Sequence, residues 1–323
     1  MTSHRPSVTV VIPTAGRRRA LGTAVQSALS QQQCNVDVHV VGDGATVDDV
    51  ASLLGRLADD RRVTLHSLSG RRRGSNAARN YGAERARTQW TALLDDDDAW
   101  LPQKLATQIA MTTGPNSPCV VSSRFVAQAP EGDYVWPRFL PDASAHLSEY
   151  LFCRRGLFAG DGHLQTSTLL APTALLLGHP FREDLARHQD HDWVLRCAYE
   201  ARARVVMAPE ALSVYSLPAP NRAAIGSRGC WQERWEWAST NRHLFTSRGY
   251  AGFLLSYGVF AATLDGDRRA IPFLIREAFT VGKPRARDLM LAAALATVPS
   301  STRRNIRASL SRRAVGRGPA RSQ

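Results

Sequence analysis

Leu93-Leu94-Asp95-Asp96-Asp97-Asp98-Ala99-Trp100-Leu101-Pro102 is the stretch whose reading decides the fold. An apolar strand, Thr91 to Leu94, runs directly into four consecutive aspartates. In an open parallel sheet, ligands gather beyond the carboxyl ends of the strands, so the sequence puts a block of negative charge where such a sheet does its work. Adjacent like charges repel, more strongly when partly buried, unless a cation compensates them. Mg2+ takes one or two protein carboxylates and fills its octahedron with water and substrate phosphates, so the pattern suits Mg2+ or Mn2+ shared with a diphosphate-bearing ligand. An acidic loop or a helix N-terminus favoured by the macrodipole would account for the same residues without a ligand.

Outward from the aspartates, strand-like and helix-like segments alternate, which argues for an α/β fold with a mostly parallel, Rossmann-like sheet flanked by helices. Val8 to Ile12 is a β-branched run, followed by Ala20, Leu21, Ala24, Val25, Ala28 and Leu29 at helical spacing. Val36 to Val41 predicts a second strand ending at Gly42-Asp43-Gly44, Val47 to Leu57 a helix, Val63 to Ser67 a third strand, and 75–87 a helix capped by Ser75 or Asn76. Residues 112–146 are rich in Gly, Pro and polar side chains around one short apolar strand, Cys119 to Ser122. Further on, Gln189 to Ala201 predicts a helix and Arg204 to Ala208 a strand. Residues 228–310 read as helices separated by Gly and Pro. The expected organisation is a domain over 1–215, with a nucleotide half to about 111 and an acceptor half over 112–215, then a helical region over 216–310 and a basic, disordered tail over 311–323.

Hydrophobic residues at 44% and charged residues at 21% exclude disordered and fibrous classes. The net charge of +13 comes from 41 Lys and Arg, of which only Lys104 and Lys283 are lysines. A solvated surface, a phosphate-bearing ligand or an anionic membrane would each suit that excess. Nucleic acid is not expected, because no recognisable binding motif interleaves the basic residues and the acidic tetrad repels phosphates. Five scattered cysteines without a C-x-x-C pair argue against a disulfide framework. No apolar stretch reaches the length of a membrane span, and a reducing, cytoplasmic setting is expected.

Two further carboxylate clusters stand at element ends. Asp43 sits between two glycines after the second strand, and Asp190 and Asp192 lie in Arg187-His188-Gln189-Asp190-His191-Asp192-Trp193 at a helix start. Each has a bland reading, as a turn and as N-terminal helix acids. Taken together, Val8-Thr9-Val10-Val11-Ile12-Pro13-Thr14, Val41-Gly42-Asp43-Gly44, Ala77-Ala78-Arg79-Asn80, the aspartate tetrad and Gln189-Asp190-His191-Asp192-Trp193 resemble the ordered signature of family 2 glycosyltransferases with the GT-A fold, over roughly residues 7–215.

That resemblance implies an inverting transfer from a UDP-, GDP- or dTDP-sugar to a glycan or lipid-linked acceptor, in polysaccharide, glycolipid or cell-envelope glycan synthesis. It places Pro13, Thr14, Asp43, Arg79, Asp95 and Asp96 around the nucleotide and donor, Asp97 with Asp95 on the metal, and Asp190 as general base. Gln189 stands where the family has an acid, and Gly42 where it commonly has a second aspartate. Thr166, His191, Asp192 and Trp193 are candidate acceptor contacts. Asp190 and Asp192 lie about 200° apart in helical projection, so both do not face one sugar. A sugar-phosphate nucleotidyltransferase is the rival enzyme class, but Pro13-Thr14-Ala15-Gly16 is not its Gly-rich triphosphate loop. A non-catalytic family relative is the other rival. The basic loop Gly70-Arg71-Arg72-Arg73-Gly74 is a candidate neighbour of the diphosphate. The Arg-rich C-terminus suggests peripheral contact with an anionic membrane at the inner face of the cell membrane.

Overall fold

In the computed structural model, the described residues are 5–16, 18–68, 70, 72–129, 132–142, 144–155, 161–216, 230–298 and 302. The predicted basic tail over 311–323 lies outside them, as does Arg71. The elements in chain order begin with β1 (Ser7–Thr14), α1 (Arg18–Leu29), β2 (Asn35–Asp43), α2 (Val47–Leu54), β3 (Val63–Leu68), α3 (Ser75–Glu84), β4 (Trp90–Leu93) and β5 (Asp98–Trp100). They continue with α4 (Lys104–Ala110), β6 (Cys119–Ala129), β7 (Gly132–Trp136), α5 (Leu147–Phe152), β8 (Leu170–Pro172), α6 (Thr173–Gly178), α7 (Gln189–Tyr199) and β9 (Arg204–Ser216). Then follow α8 (Trp231–Thr240), α9 (Ser247–Phe253), α10 (Val259–Asp265), α11 (Ala270–Thr280) and α12 (Ala286–Thr297).

The chain divides into two compact units. The first comprises Met1–Gln128, Tyr134–Leu147 and His163–Leu217. Its sheet runs β3-β2-β1-β4-β8-β6-β9-β5, with β7 pairing on β6. β1 to β4 are mutually parallel, β8 is antiparallel to β4 and β6, and β9 is parallel to β6. The β-branched runs of β1 and β2 are buried on both faces, as a covered parallel sheet requires. Val8, Val10, Ile12, Leu21, Val25 and Val38 belong to one core with no exposed surface. The approach of α3 to β1 is close enough that a Cβ at Gly82 would meet Val11 Cγ1 at 2.4 Å.

The structure corrects several local expectations. The helix predicted over 75–87 has Gly74 as its N-cap, with no side-chain cap bond from Ser75 or Asn76. Asn76 turns inward instead and donates to the Arg182 carbonyl at 2.6 Å. The strand expected over Cys119 to Ser122 continues to Ala129 and forms a hairpin with β7, and the strand expected over Arg204 to Ala208 runs on to Ser216. In both, polar residues obscure the apolar pattern that marks a strand end.

The second unit comprises Ala129–Asp133, Ser148–Gly162 and Pro218–Gln323, so the C-terminal helices take in the 148–162 segment as well. Glu149 explains part of this attachment, accepting from the Thr246 hydroxyl at 2.8 Å and pairing with Arg248 at 3.2 Å. Phe152 packs among Trp237, Phe245 and Phe253. α9 continues through a π-helical turn, Leu254–Gly258, into α10. Of the three tryptophans of α8, Trp237 alone is fully in the core; Trp231 and Trp235 are half-buried. Among the described residues, no helix is long and apolar enough to cross a membrane.

Candidate active site

Every site residue predicted from sequence lies in the first unit: at the carboxyl ends of β1, β2 and β4, in α3 (Arg79), in the turn before β8 (Thr166) or at the start of α7. The aspartate tetrad forms a tight turn between β4 and β5, closed by the Asp98 N–H donating to the Asp95 carbonyl at 3.2 Å. That turn divides the four acids. Asp96 and Asp98 are buried, Asp95 is half-exposed and Asp97 is exposed. Asp96 accepts from the Thr14 hydroxyl at 2.6 Å. One Asp98 oxygen accepts from the Ser167 hydroxyl at 2.5 Å and the Gln165 amide at 2.6 Å. Burial, then the neighbouring Asp95 charge, pushes the Asp98 carboxyl well above the usual range.

Thr14, predicted at the nucleotide, is therefore buried, with its hydroxyl holding Asp96. Pro13 is buried beside it in β1. Asp43 ends β2, and its two oxygens accept from the Arg73 and Gly74 backbone N–H groups at 2.7 and 3.0 Å. The basic loop thus folds onto the strand ends, where Arg72 also donates to the Ala15 carbonyl at 3.1 Å. Gly44 permits this approach: its φ is +73° and a Cβ there would meet Arg72 Cγ at 2.6 Å. One acceptor lone pair remains on each Asp43 oxygen once these bonds are made, enough for a donor from a ligand.

Arg79 is the connecting residue. Its side chain is only 4% exposed, and its guanidinium donates to Asp95 at 2.6 Å. From its other terminal nitrogen it donates to Gln189 at 3.1 Å, Asn76 at 2.9 Å and Ser75 at 3.2 Å. Expected around the nucleotide and donor, this guanidinium faces a carboxylate in the structure and ties the end of β4 to the first residue of α7. Gln189, which replaces the expected acid, supplies the acceptor that an arginine needs there.

α7 begins from His188, held in the left-handed region at φ 57°. Asp190 stands in the first turn with its side chain 24% exposed, and one oxygen accepts from the His191 N–H at 3.0 Å. Tyr215 lies in the field of both clusters: burial, then Asp98, Asp97, Asp95 and Asp190, holds its phenol far above the usual value. Beside it stand Phe125, Trp136, His163 and His191 as a chain of ring contacts.

The structure withdraws three of the four candidate acceptor contacts. Asp192 is fully buried, bonded to Arg196 at 2.8 Å and paired with Arg182 at 3.3 Å. Trp193 is fully buried, stacked on Phe181, with its indole N–H on the His179 carbonyl. Thr166 is buried in a 3-10 turn, Thr166–Thr168, which turns its neighbour Ser167 toward Asp98 and the Asp95 N–H. His191 stays at the site, though 6% exposed. Sequence reasoning missed the role of Gln165 and Ser167 as holders of Asp98; only their serine and amide chemistry beside an apolar strand could have signalled it.

Among the described residues, no three His, Cys, Asp or Glu side chains converge as a ready-made metal cage. Asp95 and Asp97 are hard oxygen donors with solvent access, and this donor set fits Mg2+ or Mn2+ completed by water and substrate phosphates.

The fold is that of GT-A glycosyltransferases. Staphylococcus aureus TarS 1-349, solved in complex with UDP-GlcNAc, matches with a TM-score of 0.56 at 16% identity, over 93% of this chain and 92% of that one. The mannosyltransferase PcManGT from Pyrobaculum calidifontis, solved with GDP-Man and Mn2+, matches with a TM-score of 0.51 at 19% identity, over 97% and 81%. Residues 9–168 match the family described as Glycosyl transferase family 2, so the chain carries a glycosyltransferase domain of that family. The succinoglycan biosynthesis protein ExoO of Rhizobium meliloti is 38% identical over 104 residues, 32% of this chain and 29% of that protein. The Escherichia coli UDP-Glc:alpha-D-GlcNAc-diphosphoundecaprenol beta-1,3-glucosyltransferase WfaP is 28% identical over 102 residues, 32% and 39%. The chain thus spans well under half the length of these curated relatives.

Proposed function

We propose that the protein transfers a glycosyl group from a nucleoside-diphosphate sugar to a hydroxyl of a glycan or lipid-linked acceptor, with inversion at the anomeric carbon. The observation that carries this reading is the Arg79 fork, with one arm on Asp95 and the other on Gln189. It sets the donor-side carboxylates and a partly exposed carboxylate suited to base catalysis on one wall.

A sugar hydroxyl is a poor nucleophile near neutral pH, so a carboxylate within hydrogen-bond reach must take its proton as attack develops. Asp190 takes that proton while the new carbon–oxygen bond forms and the bond to the diphosphate breaks on the opposite face. Asp43, oriented by the Arg73 and Gly74 N–H groups, accepts from the nucleotide base. Pro13 and Thr14 floor that pocket, with Asp96 held beneath, and Arg72 is the cation beside it. Asp97 and Asp95 would hold Mg2+ or Mn2+, which when bound supplies Lewis-acid stabilisation of the leaving diphosphate. The relatives named for succinoglycan synthesis and for a diphosphoundecaprenol acceptor support an activity in polysaccharide or cell-envelope glycan synthesis.

The test is thermal stabilisation of the protein by UDP, GDP, dTDP and CMP with and without Mn2+, followed by transfer assays with the nucleotide that binds. Metal-dependent stabilisation by one diphosphate, lost in Asp97→Asn, supports the donor site. Asp190→Asn should keep that stabilisation and lose turnover; an active Asp190→Asn enzyme refutes the assignment of the base.

A further inference from the structure

The positive charge of the chain is concentrated. From Gly266 to the C-terminus there are thirteen Lys and Arg against three acids, which is ten of the thirteen net charges of the whole protein. An evenly solvated surface would not gather them into this segment. The three acids face other groups. Asp267 accepts from the Trp231 indole and the Arg269 N–H, Glu277 accepts from the Tyr250 hydroxyl, and Asp288 is buried and accepts from the Arg285 N–H. Arg268, Arg269, Arg276, Lys283, Arg285 and Arg287 are exposed.

Apolar exposure concentrates in the same place. Of the twelve large apolar side chains exposed among the described residues, five lie between Leu264 and Met290. Scattered exposed hydrophobics need no explanation, but clustered ones mark interaction surfaces. On α11 the buried stripe is Ala270, Leu274 and Ala278, and the outward stripe carries Arg269, Phe273, Arg276 and Phe279. The half-buried Trp231 and Trp235 extend it, with rings 5.8 and 5.3 Å from Phe273. On α12 the outward face presents Arg287 and Met290, the latter 64% exposed. The chain beyond Val298 adds seven arginines and no acid.

We propose that the outward faces of α11 and α12, with the Val281–Arg285 link between them, form a docking surface for an anionic lipid bilayer. Aromatic and aliphatic side chains set among arginines are the composition that lies in a membrane interface, where apolar burial and attraction to anionic headgroups act together. A protein partner of the same charge complementarity would need an acidic surface with its own apolar sockets; a bilayer supplies both without further assumption. The proposal deepens the lipid-linked reading of the acceptor, but it is read without donor or acceptor, so its failure and the failure of the transfer reading are separate results.

The experiment is co-sedimentation of the full chain with phosphatidylcholine vesicles and with mixed phosphatidylcholine–phosphatidylglycerol vesicles, over a salt series. Binding is expected to the mixed vesicles only and to weaken with salt. Each basic residue near the surface contributes about 1 kcal/mol, or about five-fold in partitioning. The triple variant Arg276→Ser, Lys283→Ser, Arg287→Ser should therefore lower partitioning on the order of a hundred-fold. A second variant, Phe279→Ser with Met290→Ser, changes side chains that are mostly exposed and should leave folding intact while removing the binding that survives at high salt. No binding to mixed vesicles overturns the proposal. So does binding that neither variant weakens, and so does vesicle-independent retention on single-stranded nucleic acid, which would reassign the charge.

Discussion

Replacing Arg79 by Met should separate the two halves of the active-site wall. The guanidinium is 4% exposed and its Asp95 partner 28% exposed. A hydrogen bond to a charged group contributes about 1.5–3 kcal/mol, and because Asp95 can rehydrate, the low end applies to it. Asn76 is 2% exposed and would lose the donor to its Oδ1, adding about 1 kcal/mol for a buried unsatisfied acceptor. Met fills much of the volume, so little cavity cost is added, and the expected loss is about 2–3 kcal/mol. A double-mutant cycle with Asp95→Asn, by urea unfolding in EDTA without nucleotide, should return a coupling of about 1.5 kcal/mol. Distant, independent sites add to within about 0.5 kcal/mol. With the tie to Gln189 gone, Asp190 is no longer fixed relative to the tetrad, and a misplacement near 1 Å costs on the order of 100-fold in rate. kcat should fall by about that factor with donor KM changed far less. Arg79→Lys should recover part of the stability and little of the rate, since one ammonium cannot reproduce the fork. Coupling within the range of independent sites, or wild-type kcat in a folded Arg79→Met protein, would refute the reasoning.

Asp192→Asn should cost about 3–5 kcal/mol, because it leaves Arg196 buried without its counter-charge, and acceptor KM of the folded fraction should not change. Gly82→Ala should cost about 1–3 kcal/mol through the clash with Val11, and Val11→Ala should restore part of it; an unaltered urea midpoint would mean that α3 can back away from β1. Burial, then His39 and Arg85, pulls His66 down to about 4 from its ordinary 6.5. The fold therefore holds His66 neutral, and this contribution is intact above pH 6.5 and lost as pH falls from there toward 4. After discounting for its half-exposed position the loss is about 1–2 kcal/mol. His66→Gln should flatten that part of the stability profile.

β1, β2 and β4 were legible because apolar and β-branched residues are dense in them and they are buried on both faces; β3, at the sheet edge, was marked by little more than Val63 and Leu65. β6 was legible only in its first four residues, since Ser122 closes them and Ser123 and Arg124 follow; both serines are nonetheless buried, with Ser122 bonded to Thr168 at 2.7 Å. α4 escaped for the same reason. Lys104 and Gln108 look like an outward face, yet both are fully buried, bonded to each other at 2.6 Å with the ammonium 4.1 Å from the Trp100 ring. Polar residues that satisfy one another inside the fold leave no periodic signal, because periodicity records hydrophobicity and not pairing. The same blindness explains Thr14, Arg79 and Asp192, whose chemistry suggested ligands while their partners are protein groups.

The aspartate run shows the limit from the other side. Sequence alone presents four equivalent charges, and their repulsion invites a cation. The turn from β4 to β5 makes them unequal: Asp96 and Asp98 face inward onto Thr14, Ser167 and Gln165, while Asp95 and Asp97 retain solvent access. Arg79 already compensates Asp95, and burial favours the protonated form of Asp98. The fold therefore tolerates the run without a bound ion, and under the proposed function a divalent cation would answer to the diphosphate rather than to the protein. That ordering predicts a chain whose unfolding midpoint barely responds to Mn2+ alone and responds to Mn2+ once a nucleoside diphosphate is present. Strong stabilisation by Mn2+ alone would mean that the tetrad is a resident metal site and that the division of its four acids has been misjudged.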